Sequence, residues 1–247
     1  MTARSARPID WLVTLPYTLI FFGILCVFHP ICLLAAVFGR AWHKRALDLM
    51  NLCIVWNIRL SAGTRYRVIG EPALPPGRPV IIVSNHQSMY DIPMVMWECR
   101  SQHVGYIAKR ELGRWIPSIS LALRRLGSVL IDRKDAAQAI RAIEEFGRRK
   151  DAANEVAAIF PEGTRARDGA MKRFKPSGLK ALLRSMPRAL LQPVAIRGNW
   201  ELLRYNFMPV PWGTSVEIEF LEPIEPGGMS LDELVERLEQ VITTKVK

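Results

Sequence analysis

Cysteine is scarce in this 247-residue chain: Cys26, Cys32, Cys53 and Cys99. They form no C-x-x-C pair, and three sit in the apolar N-terminal quarter, which excludes a disulfide scaffold. They read as small buried apolar residues of a reducing compartment. No Cys/His spacing fits a tetrahedral site, so neither a metal nor another cofactor is expected. Glycine (16) and proline (17) are too few for a fibrous or Gly/Pro-dominated chain. Acidic residues are outnumbered, 23 against 34 Lys and Arg, giving a net charge of +11. That balance calls for an acidic partner: nucleic acid, an anionic membrane or a phosphate-bearing substrate. A basic stripe with interleaved aromatics is missing, as are helix-turn-helix and RNA-binding signatures, so nucleic acid is set aside. Repeats and low-complexity stretches are missing too. Only one long uncharged run exists, which excludes a polytopic transporter. Apolar residues make up 49% of the chain. That fraction supports a sizeable core and excludes disorder as the main state.

The uncharged run spans Trp11 to Gly39, 29 residues. As one straight helix it would reach about 43 Å, against a hydrocarbon core of about 30 Å. Pro16 and the pair His29-Pro30 interrupt it, and Pro30 favours a bend just before it. Three readings compete: a tilted spanning helix from about Tyr17 to Phe38, a helical hairpin that dips into one leaflet, and a cleaved signal peptide. The run exceeds the usual signal-peptide length. Basic residues flank both sides, Arg4 and Arg7 before and Arg40, Lys44 and Arg45 after, which keeps both ends cytoplasmic. The hairpin is therefore the expectation, with ordinary core packing as its bland alternative. It places the chain on the cytoplasmic face of a membrane (the inner membrane in a bacterium). Ala46 to Leu60 continues as an amphipathic helix, with Trp42 and Trp56 suited either to the membrane interface or to the core. Residues 1–62 read as a membrane-anchoring helical segment and 63–247 as an α/β domain.

From Arg65 onward, β-branched runs alternate with helical patterns. Strands are expected at 79–83, 104–108, 128–131, 155–160, 190–196 and 215–221. Helices are expected at 91–98, 116–125, 134–149, 178–185 and 231–241. Such alternation predicts an α/β fold with a largely parallel sheet flanked by helices. Ligands then bind outside the carboxyl ends of the strands.

Two post-strand segments carry chemistry. In Asn85-His86-Gln87-Ser88-Met89-Tyr90-Asp91, the five-residue offset puts His86 and Asp91 about 140° apart on a continuous helix. They meet only if a turn separates them. A neutral imidazole then takes a proton from a hydroxyl, while the carboxylate fixes its tautomer. The alternative is a helix cap at Asp91 and a packed strand-end histidine. In Phe160-Pro161-Glu162-Gly163-Thr164-Arg165, proline stops the strand and Gly163 permits a tight turn. Thr164 and Arg165 supply donors for an oxyanion; the alternative is an ordinary turn with a surface arginine. Lys109 and Arg133 stand at two further strand ends. The clusters at 124–125, 148–150 and 172–175 read as solvated faces.

With these residues in place, the chain resembles the glycerolipid acyltransferases, most nearly the 1-acyl-sn-glycerol-3-phosphate acyltransferase family. N-H-x4-D is Asn85 to Asp91. A second block is Lys109, Leu112, Pro117, Gly127 and Ile131-Asp132-Arg133. F-P-E-G-T-R is Phe160 to Arg165, and an apolar strand with a proline is Gln192 to Ile196. The likeness covers roughly residues 63–225. Lys175-Pro176-Ser177-Gly178 departs from the family's Lys-Gly helix entry. The resemblance implies acyl transfer from acyl-CoA or acyl carrier protein to the sn-2 hydroxyl of lysophosphatidic acid, giving phosphatidic acid. It makes His86 and Asp91 catalytic. It assigns the acceptor phosphate to Arg165 with Gly163 and Thr164, assisted by Lys109 and Arg133, with Glu162 orienting Arg165. Oxyanion donors are expected from the backbone of the 85–88 turn. Rival acceptors are another lysolipid, such as lyso-ornithine lipid, or glycerol 3-phosphate. A hydrolase with Ser88 as nucleophile lacks a G-x-S-x-G elbow. A non-enzymatic membrane-binding module leaves His86, Asp91 and Arg165 coincidental.

Overall fold

The computed structural model describes residues 5–114, 116–125 and 127–246. Arg4, one of the flanking positives, lies outside them. Five strands run parallel: β2 (Val80–Ser84), β3 (Val104–Lys109), β4 (Val129–Ile131), β5 (Val156–Ile159) and β6 (Leu190–Arg197). An edge pair, β1 (Arg65–Ile69) and β7 (Ser215–Phe220), is parallel within itself and antiparallel to β6. The sheet order is β1-β7-β6-β2-β5-β3-β4. Every residue of β2 and β5 is buried. This is why both read as unbroken apolar runs: a central parallel strand has a core on each side. Alternate residues of β2 serve alternate faces. Val80 and Ile82 join one core; Ile81 and Val83 join the other.

The second core is covered by α5 (Ala136–Ala152), α6 (Pro176–Ser185) and α7 (Leu231–Val246). The first is covered by α1 (Pro8–Val37), α2 (Arg40–Ser61), α3 (Asp91–Glu98) and α4 (Ile119–Arg125). At Lys175-Pro176, Pro176 occupies the first helical turn of α6, where its missing N–H costs nothing.

The expected bend inside the apolar run does not occur. α1 is one helix of 30 residues that passes through Pro16 and Pro30 without a break. Its reversal comes later, at Gly39, whose φ is 108°, and α2 packs back along it. The hairpin is therefore built from α1 and α2, not from two halves of the run. Beside Pro30 the chain supplies local support. Ser118 donates its backbone N–H to His29 Nδ1 (2.9 Å) and its hydroxyl to the Leu25 carbonyl (2.9 Å). Prolines are carried within helices where neighbouring groups provide such bonds.

Tyr17, Phe21, Leu25, Phe28 and Cys32 form a buried stripe on α1. Outside the stripe, Leu12, Leu15, Leu19, Phe22, Val27 and Leu34 are exposed. α1 is long and apolar enough to cross a membrane by length and composition. An apolar face of this extent marks an interaction surface. The hairpin is also pinned to the sheet domain. Asp10 is fully buried and accepts the backbone N–H groups of Arg7 (2.8 Å) and Trp212 (2.9 Å). Within the hairpin, Asn57 of α2 donates to the Tyr17 carbonyl of α1 (3.2 Å).

Candidate active site

Four parallel strands end at one rim. β2 runs into His86, β3 ends on Lys109, β4 precedes Arg133 and β5 precedes Phe160 to Arg165. The turn predicted between His86 and Asp91 exists, because α3 starts at Asp91. His86 Nδ1 lies 2.7 Å from Asp91 Oδ2. The same oxygen accepts the backbone N–H groups of Gln87 (2.7 Å) and Ser88 (2.9 Å). Oδ1 accepts from Asn199 Nδ2. Asp91 is fully buried and the His86 side chain is 14% exposed. An oxygen that receives two backbone donors is a carboxylate acceptor, so Nδ1 carries the proton toward it. Nε2 is then the lone-pair nitrogen. The His86 ring stacks on Phe160 at 4.2 Å between centroids, and Phe160 stacks on Tyr106.

The loop after β5 clasps the His86 backbone from both sides. Glu162 Oε1 accepts the His86 N–H (2.7 Å), and the His86 carbonyl accepts from Ala166 N (2.7 Å). Glu162 Oε2 accepts the Lys172 N–H (2.8 Å). Burial nevertheless pushes the Glu162 carboxyl above its ordinary pKa, against the pull of those two bonds. This corrects the role expected of Glu162, because its oxygens are occupied by His86 and Lys172 and not by Arg165. The buried carboxylate ties the two motif loops together. Gly163 adopts φ 68°, and a Cβ there would meet the Lys175 stem at 3.4 Å.

A second correction concerns the oxyanion donors. The His86 N–H is spent on Glu162, and those of Gln87 and Ser88 are spent on Asp91. Three of the four backbone N–H groups of the expected 85–88 turn are therefore committed within the protein. Ser88 is fully buried, and its Oγ accepts from Tyr90 N (3.3 Å). That placement removes the support for a serine nucleophile.

His86, Lys109, Arg133, Thr164 and Arg165 line one cavity of about 560 Å³, together with Arg167, which sequence patterning passed over. Lys109 pairs with Glu111 (3.0 Å). Among the described residues, Arg133, Arg165 and Arg167 form no ion pair with a carboxylate. Unneutralised guanidiniums around a histidine suit an anionic group. The same cavity has an apolar wall that includes Phe21, Leu25, Met50, Ile54, Tyr106 and Leu123. Burial raises the Tyr90 phenol to about 12, so that wall stays neutral. Among the described residues, no cluster of His, Cys, Asp and Glu is arranged to hold a metal ion.

Asn199 is the other residue missed. The signal available was its place directly after β6, where Gly198 turns the chain with φ 77°.

Residues 65–197 match the Acyltransferase family. The chain belongs to that family. The chain is 35% identical to sheep 1-acyl-sn-glycerol-3-phosphate acyltransferase alpha over 157 residues, which cover 64% of the chain and 51% of the relative. It is 31% identical to the 1-acyl-sn-glycerol-3-phosphate acyltransferase of Limnanthes douglasii over 158 residues, 62% of the chain and 53% of the relative. The chain spans about half the length of these curated relatives. Its fold is similar to that of the 1-acyl-sn-glycerophosphate (LPA) acyltransferase PlsC from Thermotoga maritima. The TM-score is 0.79 at 26% identity, covering 96% of this chain and 94% of that one.

Proposed function

We propose that this acyltransferase moves a fatty acyl group from acyl-CoA or acyl carrier protein to the sn-2 hydroxyl of lysophosphatidic acid, giving phosphatidic acid for phospholipid synthesis. One observation carries the reading. His86, bonded to Asp91, lines a cavity that combines Arg133, Arg165 and Arg167, which have no carboxylate partner among the described residues, with apolar side chains, and this suits a phosphate and a hydrocarbon chain flanking a reacting hydroxyl. The names of the relatives support the same choice.

In this mechanism His86 Nε2 removes the hydroxyl proton, and Asp91 stabilises the imidazolium that results. The alkoxide attacks the thioester carbonyl, the C–S bond breaks, and the departing thiolate takes the proton back from His86. Arg165 with Thr164 and the Gly163 turn holds the acceptor phosphate, and Lys109 and Arg133 assist from β3 and β4. Glu162 fixes the loop that carries Arg165. The exposed face of α1 rests in the cytoplasmic leaflet, so both acyl chains stay in lipid while the head group meets His86. The runner-up acceptors, another lysolipid or glycerol 3-phosphate, require the same dyad.

The test is an assay of the full chain in detergent. It offers lysophosphatidic acid, other lysolipids and glycerol 3-phosphate with palmitoyl-CoA and follows free thiol. Lysophosphatidic acid is expected to give the highest kcat/KM, and His86→Ala to lower it about 10²–10⁴-fold with the fold intact. Faster turnover of a phosphate-free lysolipid would reassign the acceptor.

A further inference from the structure

Asn199 touches the dyad from the side away from the imidazole. Its position is forced by Gly198, where a Cβ would sit 2.0 Å from the Ser215 carbonyl oxygen, so only glycine makes this turn. Asn199 is fully buried. Its Nδ2 donates to Asp91 Oδ1, and its backbone N–H donates to Gln87 Oε1 (3.0 Å). Its own Oδ1 has no hydrogen-bond partner among the described residues. A buried amide with an orphan acceptor is costly, and leucine would fill the same space without one. Packing therefore does not account for the amide. The donor bond to Asp91 does.

We propose that Asn199 is a positioning residue for proton transfer, a claim that rests on the acyl-transfer reading. Its Nδ2–H holds the Asp91 carboxylate in the plane that presents Oδ2 to His86 Nδ1. The bond also keeps Oδ1 turned away from the ring, so Oδ2 is the oxygen that meets the imidazole. Asp91 thus has two fixed sides. Backbone N–H groups and the imidazole hold Oδ2, and the amide of Asn199, just after β6, holds Oδ1.

Two variants of the full chain in detergent test this. Asn199→Leu removes the donor and keeps the volume. Its kcat is expected to fall roughly ten- to a hundred-fold, the range of one hydrogen bond to a charged group, with both KM values within twofold and the melting temperature unchanged. Asn199→Asp gives a pH signature that a packing role would not. While the new carboxyl holds a proton it donates to Asp91 as the amide did; once that proton leaves, two carboxylates face each other. Its kcat profile is expected to keep the acid limb of the parent and fall early on the alkaline side. A kcat within threefold of the parent in Asn199→Leu overturns the proposal. So does an unshifted profile in Asn199→Asp, and so does a joint loss of kcat, KM and melting temperature in both. A third readout needs no turnover: the low-field Nδ1 proton of His86, assigned by its disappearance in His86→Asn. It is expected to move or broaden in Asn199→Leu, and an unmoved resonance overturns the proposal. If the parent acylates no lysolipid, the functional reading fails alone, and this resonance still decides the role of Asn199.

Discussion

Asp91→Asn isolates one charge. In the parent, Oδ2 sits among three donors, so an amide at 91 must keep its oxygen there and turn its NH2 toward Asn199. Two amide nitrogens would then face each other. Asn199 resolves this by flipping, because its Oδ1 is without a partner among the described residues and becomes the acceptor. Every bond around residue 91 survives and the fold is retained. What is lost is a full negative charge beside the imidazolium formed in the transition state. Two unit charges about 4 Å apart at an effective dielectric of about 20 interact by about 4 kcal/mol. At about 1.36 kcal/mol per decade, that is roughly a thousand-fold in rate. We expect kcat to fall by about that factor, with both KM values within threefold and an unchanged thermal melt. Initial rates of thiol release at saturating substrate and circular dichroism read both quantities. A kcat within threefold of the parent, with an intact melt, would refute the claim that Asp91 acts by stabilising a protonated His86.

Arg165→Ala is expected to raise the KM for lysophosphatidic acid roughly ten- to a hundred-fold with a small change in kcat, the worth of one charge-assisted bond. An unchanged KM would move the phosphate to Arg133 or Arg167. Glu162→Gln leaves the His86 N–H or the Lys172 N–H facing an amide NH2. It is expected to cost about 1–3 kcal/mol, seen as a lower melting temperature together with reduced kcat; full stability would deny the clasp. Lys150 is 3% exposed and pairs with Glu155 (2.8 Å), which Arg40 also holds (2.6 Å). Burial lowers its pKa, so the unfolded chain binds this proton more tightly. Stability from this group therefore rises as pH climbs from the lowered value toward the ordinary one near 10.4. Lys150→Met should abolish that rise and leave the neutral-pH melt equal or higher, since Glu155 keeps Arg40; a drop of several degrees would contradict this.

The elements and residues that the sequence exposes are those whose signal is local. β2 and β5 are buried on both faces and announce themselves as unbroken apolar runs. The turn before Asp91 is implied by the five-residue offset itself. β1 goes unseen because Arg-Tyr-Arg-Val-Ile lies at the sheet edge, with Arg65 and Arg67 exposed, and edge positions tolerate charge. Asn199 goes unseen because its meaning lies in a contact 108 positions away. Glu162 is legible as a motif member, yet its partners are fixed by how two loops meet. Pro30 misleads, because a proline's cost depends on which groups support the helix around it. Here the support is Ser118, bonded to His29 from 89 positions away.

The unbroken α1 also bears on the proposed chemistry. Tyr17, Phe21, Leu25, Phe28 and Cys32 recur at four, four, three and four residues. That spacing stays on one face only while the helix is continuous. A bend at Pro30 would turn Cys32 away from the face that Phe21 and Leu25 present to the cavity. With the helix intact, Phe21 and Leu25 of α1 and Leu47, Met50 and Ile54 of α2 close the chamber above His86. Further round α1, Leu19 is exposed on the outer apolar face, and Phe22 is both exposed there and part of the cavity lining. The apolar surface of α1 thus reaches the wall of the reaction chamber at Phe22. On the proposed reading, an acyl chain passes from the leaflet into the chamber beside that residue, and continuity of the stripe past Pro16 and Pro30 holds Phe21 and Leu25 in the chamber wall.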